Sequence, residues 1–188
     1  ANADSRHRVS IVTFESSADT DRALTDCYGN NVTTLKNTVN GLRANGGTRA
    51  DLGLEQAQSA LSGQGSRANA QKVVIFFTDG QPGLYRFEDA IAGEAINEAR
   101  DMKADDVTIY SIGVVEGANP SNTTSDINRS LHAISSNYPE ASCPIEYMGW
   151  ASSSSWSGYD YTWGNYGDFG QLDLGTPASG EEGEPAPE

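Results

Sequence analysis

The fold is decided by residues 72–82, which read KVVIFFTDGQP. The apolar run at 73–77 has no polar break, a pattern typical of a strand buried on both faces in a parallel sheet covered by helices. Asp79 follows the run directly and therefore stands at the carboxyl end of a central strand, where open α/β sheets place their ligands. Because Asp-Gly is also a common turn pair, this strand alone leaves open whether Asp79 binds a ligand or only caps a turn.

A second informative stretch lies upstream and contains Gly46, Gly47 and Thr48. The two glycines allow a tight turn before a helix begins, so the Thr48 hydroxyl is placed near the start of that helix, where it is free to bind a ligand. Gly53 lies inside the same helix, where glycine costs about 1 kcal/mol relative to alanine. A glycine at that position indicates close packing against a neighbouring element.

Together these segments resemble the von Willebrand factor type A family. That family has a Gly-Gly-Thr followed by a glycine, and an apolar strand ending in Thr-Asp-Gly, as the second and third segments of its metal site. This sequence carries them at 46–53 and 73–80. Residues 8–14 resemble the family's second strand and residues 107–114 resemble a later one, so the resemblance covers residues 6–140.

The fold implied by the resemblance is α/β: a doubly wound, mostly parallel, Rossmann-like sheet flanked by helices and incomplete at the amino terminus. Hydrophobic periodicity agrees, since strands that alternate with helices form parallel βαβ units. We predict strands at 8–14, 73–77 and 107–115, an exposed edge strand within 17–25, and helices at 32–42, 49–62, 87–102 and 126–134. Asn30 and Asn31 are predicted to cap the first helix.

The resemblance makes Thr48 and Asp79 the predicted ligands of Mg²⁺ or Mn²⁺, and such ions prefer oxygen ligands. The family's other ligands come from an Asp-x-Ser-x-Ser segment that follows a first strand in the middle of the sheet, between the strands at Val9 and Val73. No Asp-x-Ser-x-Ser occurs in this sequence. We therefore expect an incomplete site that binds the cation weakly or not at all by itself, and two strands that each lack a partner.

Three residues near or outside this site have open roles. Asp51 either binds a second ion or, as we favour, caps the helix or faces solvent in its first turn. Cys27 and Cys143 are compatible with a disulfide and equally with two unrelated thiols.

The sequence favours a binding domain over an enzyme, because it contains no Ser-His-Asp or Cys-His pattern and no phosphate loop. A hydrolase on a similar sheet is the least favoured reading. The net charge of −14 argues against nucleic-acid partners, and no apolar run reaches the ~18 residues of a membrane span.

We divide the chain into a partial type A domain at 1–141, a Ser/Gly/aromatic-rich insertion or loop at 142–175, and an acidic linker at 176–188 that we expect to be disordered. Three roles are open for the aromatic residues within 147–169: they form a binding surface, pack into the domain, or belong to a flexible loop. The chain begins ANADSR, which is neither a signal peptide nor an initiator methionine, so we expect it to be cut from a longer protein.

The resemblance implies an adhesive domain of an exported protein at the cell surface or cell wall, which binds an acidic side chain of a protein partner through Mg²⁺. An extracellular-matrix protein is one such partner. Residues 135–139, SSNYP, are similar to type A domains of Gram-positive surface and pilus-tip proteins. The alternative is an intracellular scaffold module that partners an ATPase, as in chelatase-like assemblies; a signal peptide upstream would favour the first reading and a fused ATPase the second.

Overall fold

The computed structural model describes residues 7–84, 87–114, 125–143 and 172–178. The helices and strands in these ranges are β1 (Arg8–Phe14), β2 (Ala18–Asp26), α1 (Asn30–Gly41), α2 (Ala50–Ser62), β3 (Lys72–Thr78), α3 (Asp89–Ala104), β4 (Val107–Gly113) and α4 (Asp126–Ile134). The sequence predicted every one of these elements. The predicted bounds of β1 and α4 agree with the structure, and those of the other elements differ by a few residues.

The four strands form two separate pairs within the described residues. β1 runs antiparallel to β2, and β3 runs parallel to β4 with Lys72 beside Val107 and Thr78 beside Gly113. No backbone hydrogen bond in the described part joins β1 to β3. In the part of the chain that the structure describes, β1 thus pairs only with β2 and β3 only with β4, so the sheet is interrupted between β1 and β3.

The hydrophobic core lies on one face of the β3–β4 pair, where α3 and α4 pack on β4. α2 packs on β1, β2 and α3 and adds Ala50 and Leu54 to the same core. The largest fully buried apolar side chains come from the three helices and from β4: Leu54, Ile96, Met102, Ile109 and Ile134. The buried residues of α3 recur at three- and four-residue spacing, so one apolar face of this helix lies in the core. Phe76 of β3 therefore shares one core with residues of the helices that precede and follow β3 in the chain.

The expectation that β3 is buried on both faces is wrong. Val73, Ile75 and Phe77 point to the opposite face and are 42%, 67% and 57% exposed. Tyr110 and Ile112 extend the same exposed face onto β4. The physical reason is that α1 packs on β1 and β2, so no element of the described part covers this second face of β3 and β4.

The predicted cap of α1 is also wrong. The helix begins at Asn30, and neither Asn30 nor Asn31 makes a side-chain capping hydrogen bond. Gly29 occupies the capping position with φ 57, a left-handed conformation that glycine adopts at little cost. The chain thus enters α1 through a backbone turn that needs no polar side chain.

The last described segment returns to the domain. Ser142 and Asp173 exchange two backbone hydrogen bonds of 2.9 and 3.1 Å, and Leu172 is buried in the core. The rest of the predicted insertion, with its aromatic residues, and the linker beyond residue 178 lie outside the described residues. Cys27 is exposed and Cys143 is buried, and they are not bonded to each other.

None of the described helices combines the length and the apolar character needed to cross a membrane.

Gly53 of α2 lies against the ring of Phe14, as its position inside a helix predicted. A methyl group at Gly53 would lie 2.7 Å from Cγ of Phe14. We expect Gly53→Ala to lower the free energy of unfolding by about 1–3 kcal/mol, because overpacking outweighs the better helix propensity of alanine. Chemical denaturation of the two proteins measures the difference.

Gly41→Ala is the matched control, since a methyl group at Gly41 on α1 would meet no atom within 4 Å. This variant should keep or slightly raise the stability of the chain. Equal losses in the two variants would contradict the packing explanation.

Lys103 of α3 binds the carboxyl end of α4 and the residues that follow it. Its Nζ donates hydrogen bonds to the carbonyls of Ala133, Ser135 and Tyr138 at 2.7, 3.3 and 2.7 Å. Burial and, as a smaller effect, the nearby positive charge of Arg100 together lower the pKa of Lys103 from 10.5 to about 8. Between these two values the unfolded chain binds more protons at Lys103 than the folded chain does.

We therefore expect the stability contributed by Lys103 to rise with pH between about 8 and 10.5. The measurement is the difference in free energy of unfolding between the unaltered chain and Lys103→Met, at about pH 7 and about pH 9.5. The free energy of unfolding of the unaltered chain minus that of Lys103→Met should be larger at the higher pH. The same difference for Lys36→Met, which changes an exposed lysine on α1, should not depend on pH. A pH-independent difference for Lys103 would count against the burial effect.

Candidate metal site at the carboxyl ends of the strands

Thr48 lies in the loop before α2, and this loop is joined to the loop that follows β3. The backbone N–H of Thr48 donates to the carbonyl of Gly83 at 2.7 Å, and the N–H of Gly83 donates back to the carbonyl of Thr48 at 3.0 Å. Gly47 makes this approach possible, because a methyl group there would lie 2.7 Å from Cα of Leu84. The glycine pair singled out in the sequence therefore allows the backbones of these two loops to lie close together.

The Thr48 hydroxyl lies beside the residue that follows Asp79. A methyl group at Gly80 would come within 2.5 Å of Oγ1 of Thr48. Thr78 shapes the turn here, because its hydroxyl donates to the carbonyl of Gly80 at 2.9 Å and accepts from the Gly80 N–H at 3.2 Å. The structure thus brings the two predicted ligands, Thr48 and Asp79, to one edge of the domain, with Thr48 half-buried and Asp79 exposed.

A third loop, 15–17, reaches the same edge and was missed by the sequence reasoning. The N–H of Gly47 donates to Oγ of Ser16 at 3.1 Å, and the N–H of Arg49 donates to the carbonyl of Glu15 at 2.7 Å. The Glu15 carboxylate lies against Gly46. Because Glu15 follows β1 directly, the rule that selected Asp79 at the carboxyl end of β3 applies equally to it.

The oxygens of Thr48 and Asp79 fit a hard divalent cation in type, since a hydroxyl and a carboxylate are ligands that Mg²⁺ accepts. They do not fill a coordination sphere, because Mg²⁺ requires nearly ideal octahedral geometry. In the part of the chain that the structure describes, no group of three His, Cys, Asp or Glu side chains could hold a metal ion. Any ion here therefore needs water or ligands from beyond these residues.

Asp51 does not have the role expected from the sequence. It is only 4% exposed and makes no capping hydrogen bond, so the expectation that it caps α2 or faces solvent is wrong. Instead Arg49 donates hydrogen bonds to the Asp51 carboxylate, from Nε at 2.9 and 3.1 Å and from Nη2 at 2.5 Å. This bidentate pair offsets the charge of Asp51 and leaves it poorly suited to a second cation.

Asp51 also faces α3, where Glu94 lies. Burial raises the pKa of Glu94, and its hydrogen bond and charge repulsion with Asp51 raise it further. Arg49 opposes this rise through its positive charge. The acidic residues between α2 and α3 therefore form part of the packing of the two helices.

The edge that holds Thr48 and Asp79 is open. The cavity next to it, lined among others by Thr48, Phe76 and Leu131, has a volume of about 10 Å³. That is room for about one water molecule. Such an edge suits contact with the surface of another macromolecule better than enclosure of a small molecule.

Comparison with known proteins identifies one family, the von Willebrand factor type A domain, which matches residues 2–147. Among solved structures, the chain is similar to proximal thread matrix protein 1 (PTMP1) from the mussel byssus, with a TM-score of 0.50 and 22% identity. The match covers 69% of this chain and 30% of the mussel chain, and at this identity it concerns the fold alone. No curated protein matches the chain.

Gly47→Ala should break the contact between the two loops. The added methyl group meets backbone atoms of Gly83 and Leu84, so one loop must move and the two hydrogen bonds between Thr48 and Gly83 are lost. We expect amide hydrogen exchange at Thr48 and Gly83 to accelerate by about fivefold or more, since a hydrogen bond contributes about 1 kcal/mol.

Gly80→Ala provides the comparison, because its methyl group meets only the side chain of Thr48, which can rotate. Exchange at Thr48 and Gly83 should stay nearly unchanged in this variant. If both variants accelerate exchange alike, the backbone contact at Gly47 does not hold the loops together.

Proposed function

We propose that this chain, which belongs to the von Willebrand factor type A family, binds a protein partner through a divalent cation held at the carboxyl ends of β1 and β3. The family assignment gives the chain an α/β, Rossmann-like fold and makes it a protein-interaction or adhesion module in general terms. The proposal adds the metal dependence, the residues that carry it and the location of the protein.

The proposal depends on one observation, the position of the Thr48 hydroxyl against Gly80 and therefore beside Asp79. Thr48 and Asp79 would hold Mg²⁺ or Mn²⁺ with oxygen ligands. When bound, the cation supplies open coordination positions that a Glu or Asp carboxylate of the partner can enter. The hydrogen bonds between Thr48 and Gly83 keep the two loops in place for this role.

Electrostatics explains why a cation is needed. The chain has a net charge of −14, and Asp79 is an exposed carboxylate at the proposed contact. An acidic side chain of a partner is repelled by such a surface. A divalent cation between the two carboxylates replaces this repulsion with attraction on both sides.

We place the protein outside the cell, as an adhesive domain of an exported surface protein whose partner is an extracellular-matrix protein. The support comes from the sequence: the acidic balance, two cysteines only, and the SSNYP segment at 135–139 that is similar to Gram-positive surface and pilus-tip domains. The exposed position of Asp79 suits contact with a protein partner as well.

The test immobilises the chain and measures binding of a panel of extracellular-matrix proteins at about 10 mM Mg²⁺. We expect EDTA to reduce binding to the best partner by at least about tenfold, which corresponds to about 1.4 kcal/mol, and Asp79→Ala to reduce it similarly. Renewed Mg²⁺ should restore binding only to the unaltered chain, because only that chain keeps the carboxylate.

Asp101→Ala is the matched control, since Asp101 is an exposed aspartate in the last turn of α3, the helix that begins beyond β3. It removes the same charge without touching the site, and binding should not change. Calorimetry on the chain alone should show no saturable Mg²⁺ binding below about 1 mM. Partner binding that is indifferent to both EDTA and Asp79→Ala would refute the metal-dependent mechanism.

A further inference from the structure

The pair Asn-Gly occurs twice in the sequence, at 40–41 and at 45–46. In such a pair the backbone nitrogen of the glycine can attack the side-chain carbonyl carbon of the asparagine, because glycine has no Cβ that hinders the approach. The reaction is slow and needs no enzyme, and its rate depends on how freely the two residues reach the reactive geometry. The structure places the two pairs in different surroundings, so one of them serves as a control for the other.

Asn40 and Gly41 are the last two residues of α1. In an α-helix the N–H of Gly41 bonds the carbonyl four residues earlier, and the Cα–Cβ bond of Asn40 tilts toward the amino terminus, away from that N–H. Arg43 also holds this end of the helix, because its Nη1 donates to the carbonyls of Gly41 and Leu42 at 3.3 and 2.9 Å. The first pair is therefore kept in a geometry that opposes the attack.

Asn45 and Gly46 lie outside any helix or strand, and both are exposed. In the part of the chain that the structure describes, neither the side-chain amide of Asn45 nor the N–H of Gly46 makes a hydrogen bond. The second pair thus combines a backbone nitrogen that is not engaged with a side-chain amide that is free to approach it.

The segment that follows this pair is held by other loops. Each of the next three backbone N–H groups, at 47–49, donates a hydrogen bond to a residue of another loop, at 3.1, 2.7 and 2.7 Å. The acceptors are Oγ of Ser16 and the carbonyls of Gly83 and Glu15. A change in the length of the main chain at residue 45 must therefore strain the bonds that follow it.

We propose that Asn45 is a site of spontaneous deamidation, and that its isoaspartate product weakens the hydrogen bonds that fix residues 47–49. The Gly46 nitrogen forms a bond to Cγ of Asn45, the bond from Cγ to Nδ2 breaks, and the proton of the Gly46 nitrogen leaves with Nδ2 as ammonia. A water molecule then opens the five-membered succinimide ring at one of its two carbonyls. Opening at Cγ gives aspartate, and opening at the backbone carbonyl carbon gives isoaspartate.

The two products differ in the main chain. Isoaspartate carries the backbone through its Cβ and Cγ, which inserts an extra carbon before Gly46, whereas aspartate leaves the backbone length unchanged. Either product adds a negative charge to a chain whose net charge is −14. The charge is therefore common to both forms, and only the isoaspartate form displaces the loop that contains Thr48.

The first test compares the two Asn-Gly pairs in the folded chain and in urea, by peptide mapping with mass spectrometry after incubation at neutral pH. In urea both asparagines should convert at similar rates, because each is followed by glycine and no structure restrains it. In the folded chain we expect Asn45 to convert at nearly its unfolded rate. Asn40 should convert at least about fivefold more slowly than in urea, since the attack there must break a helical hydrogen bond.

The second test measures amide exchange on peptides that contain residues 45–49, in which the isoaspartate and aspartate forms elute separately. EDTA is present throughout, so the result does not depend on the metal-dependent function proposed above. We expect exchange at Gly47 and Thr48 to be about fivefold faster in the isoaspartate form than in the fresh chain. Asn45→Asp is the matched control, because it has the same added charge with a normal backbone, and its exchange should equal that of the fresh chain.

Asn45→Gln separates this reaction from other effects of ageing. The longer side chain closes a six-membered ring, which forms far more slowly, so the aged variant should keep the exchange rates of the fresh chain at Gly47 and Thr48. Asn45 is exposed and makes no hydrogen bond in the described residues, so the substitution leaves the fold intact.

Two results would overturn the proposal. The first is that folding slows conversion at Asn45 as much as it slows conversion at Asn40. The second is that exchange at Gly47 and Thr48 is the same in the isoaspartate form as in the Asn45→Asp chain.

Discussion

The stacked rings of Phe14 and Phe76 join two pairs of strands that share no backbone hydrogen bond in the described part of the chain. Hydrogen bonds normally hold neighbouring strands of one sheet together, but here side-chain packing performs that task between β1 and β3. Gly53 is part of the same contact, because only a residue without a side chain lets α2 lie directly on Phe14. The arrangement of the two pairs in the described residues therefore depends on dispersion and burial and not on a hydrogen-bonded ladder between β1 and β3.

This packing also positions the candidate metal site. The loops that end with Glu15, contain Thr48 and begin with Asp79 meet because β1 and β3 end at the same side of the domain. The hydrogen bonds between Thr48 and Gly83 then fix the second loop to the third, and the bond from Gly47 to Ser16 fixes it to the first. The site is thus built from backbone contacts between loops, while the side chains of Thr48 and Asp79 remain available for a ligand.

The sequence predicted those features that depend on local pattern. The bounds of β1 and α4, the buried face of α3 and the close packing of Gly53 all follow from periodicity or from the cost of glycine in a helix. Sequence patterns did not predict features that depend on which other element covers a surface. The apolar run at 73–77 is suited to burial on both faces, but no local pattern states that the second face of β3 stays exposed. Asp51 illustrates the same limit, because the neighbouring Arg49 turns a first-turn aspartate into a buried ion pair.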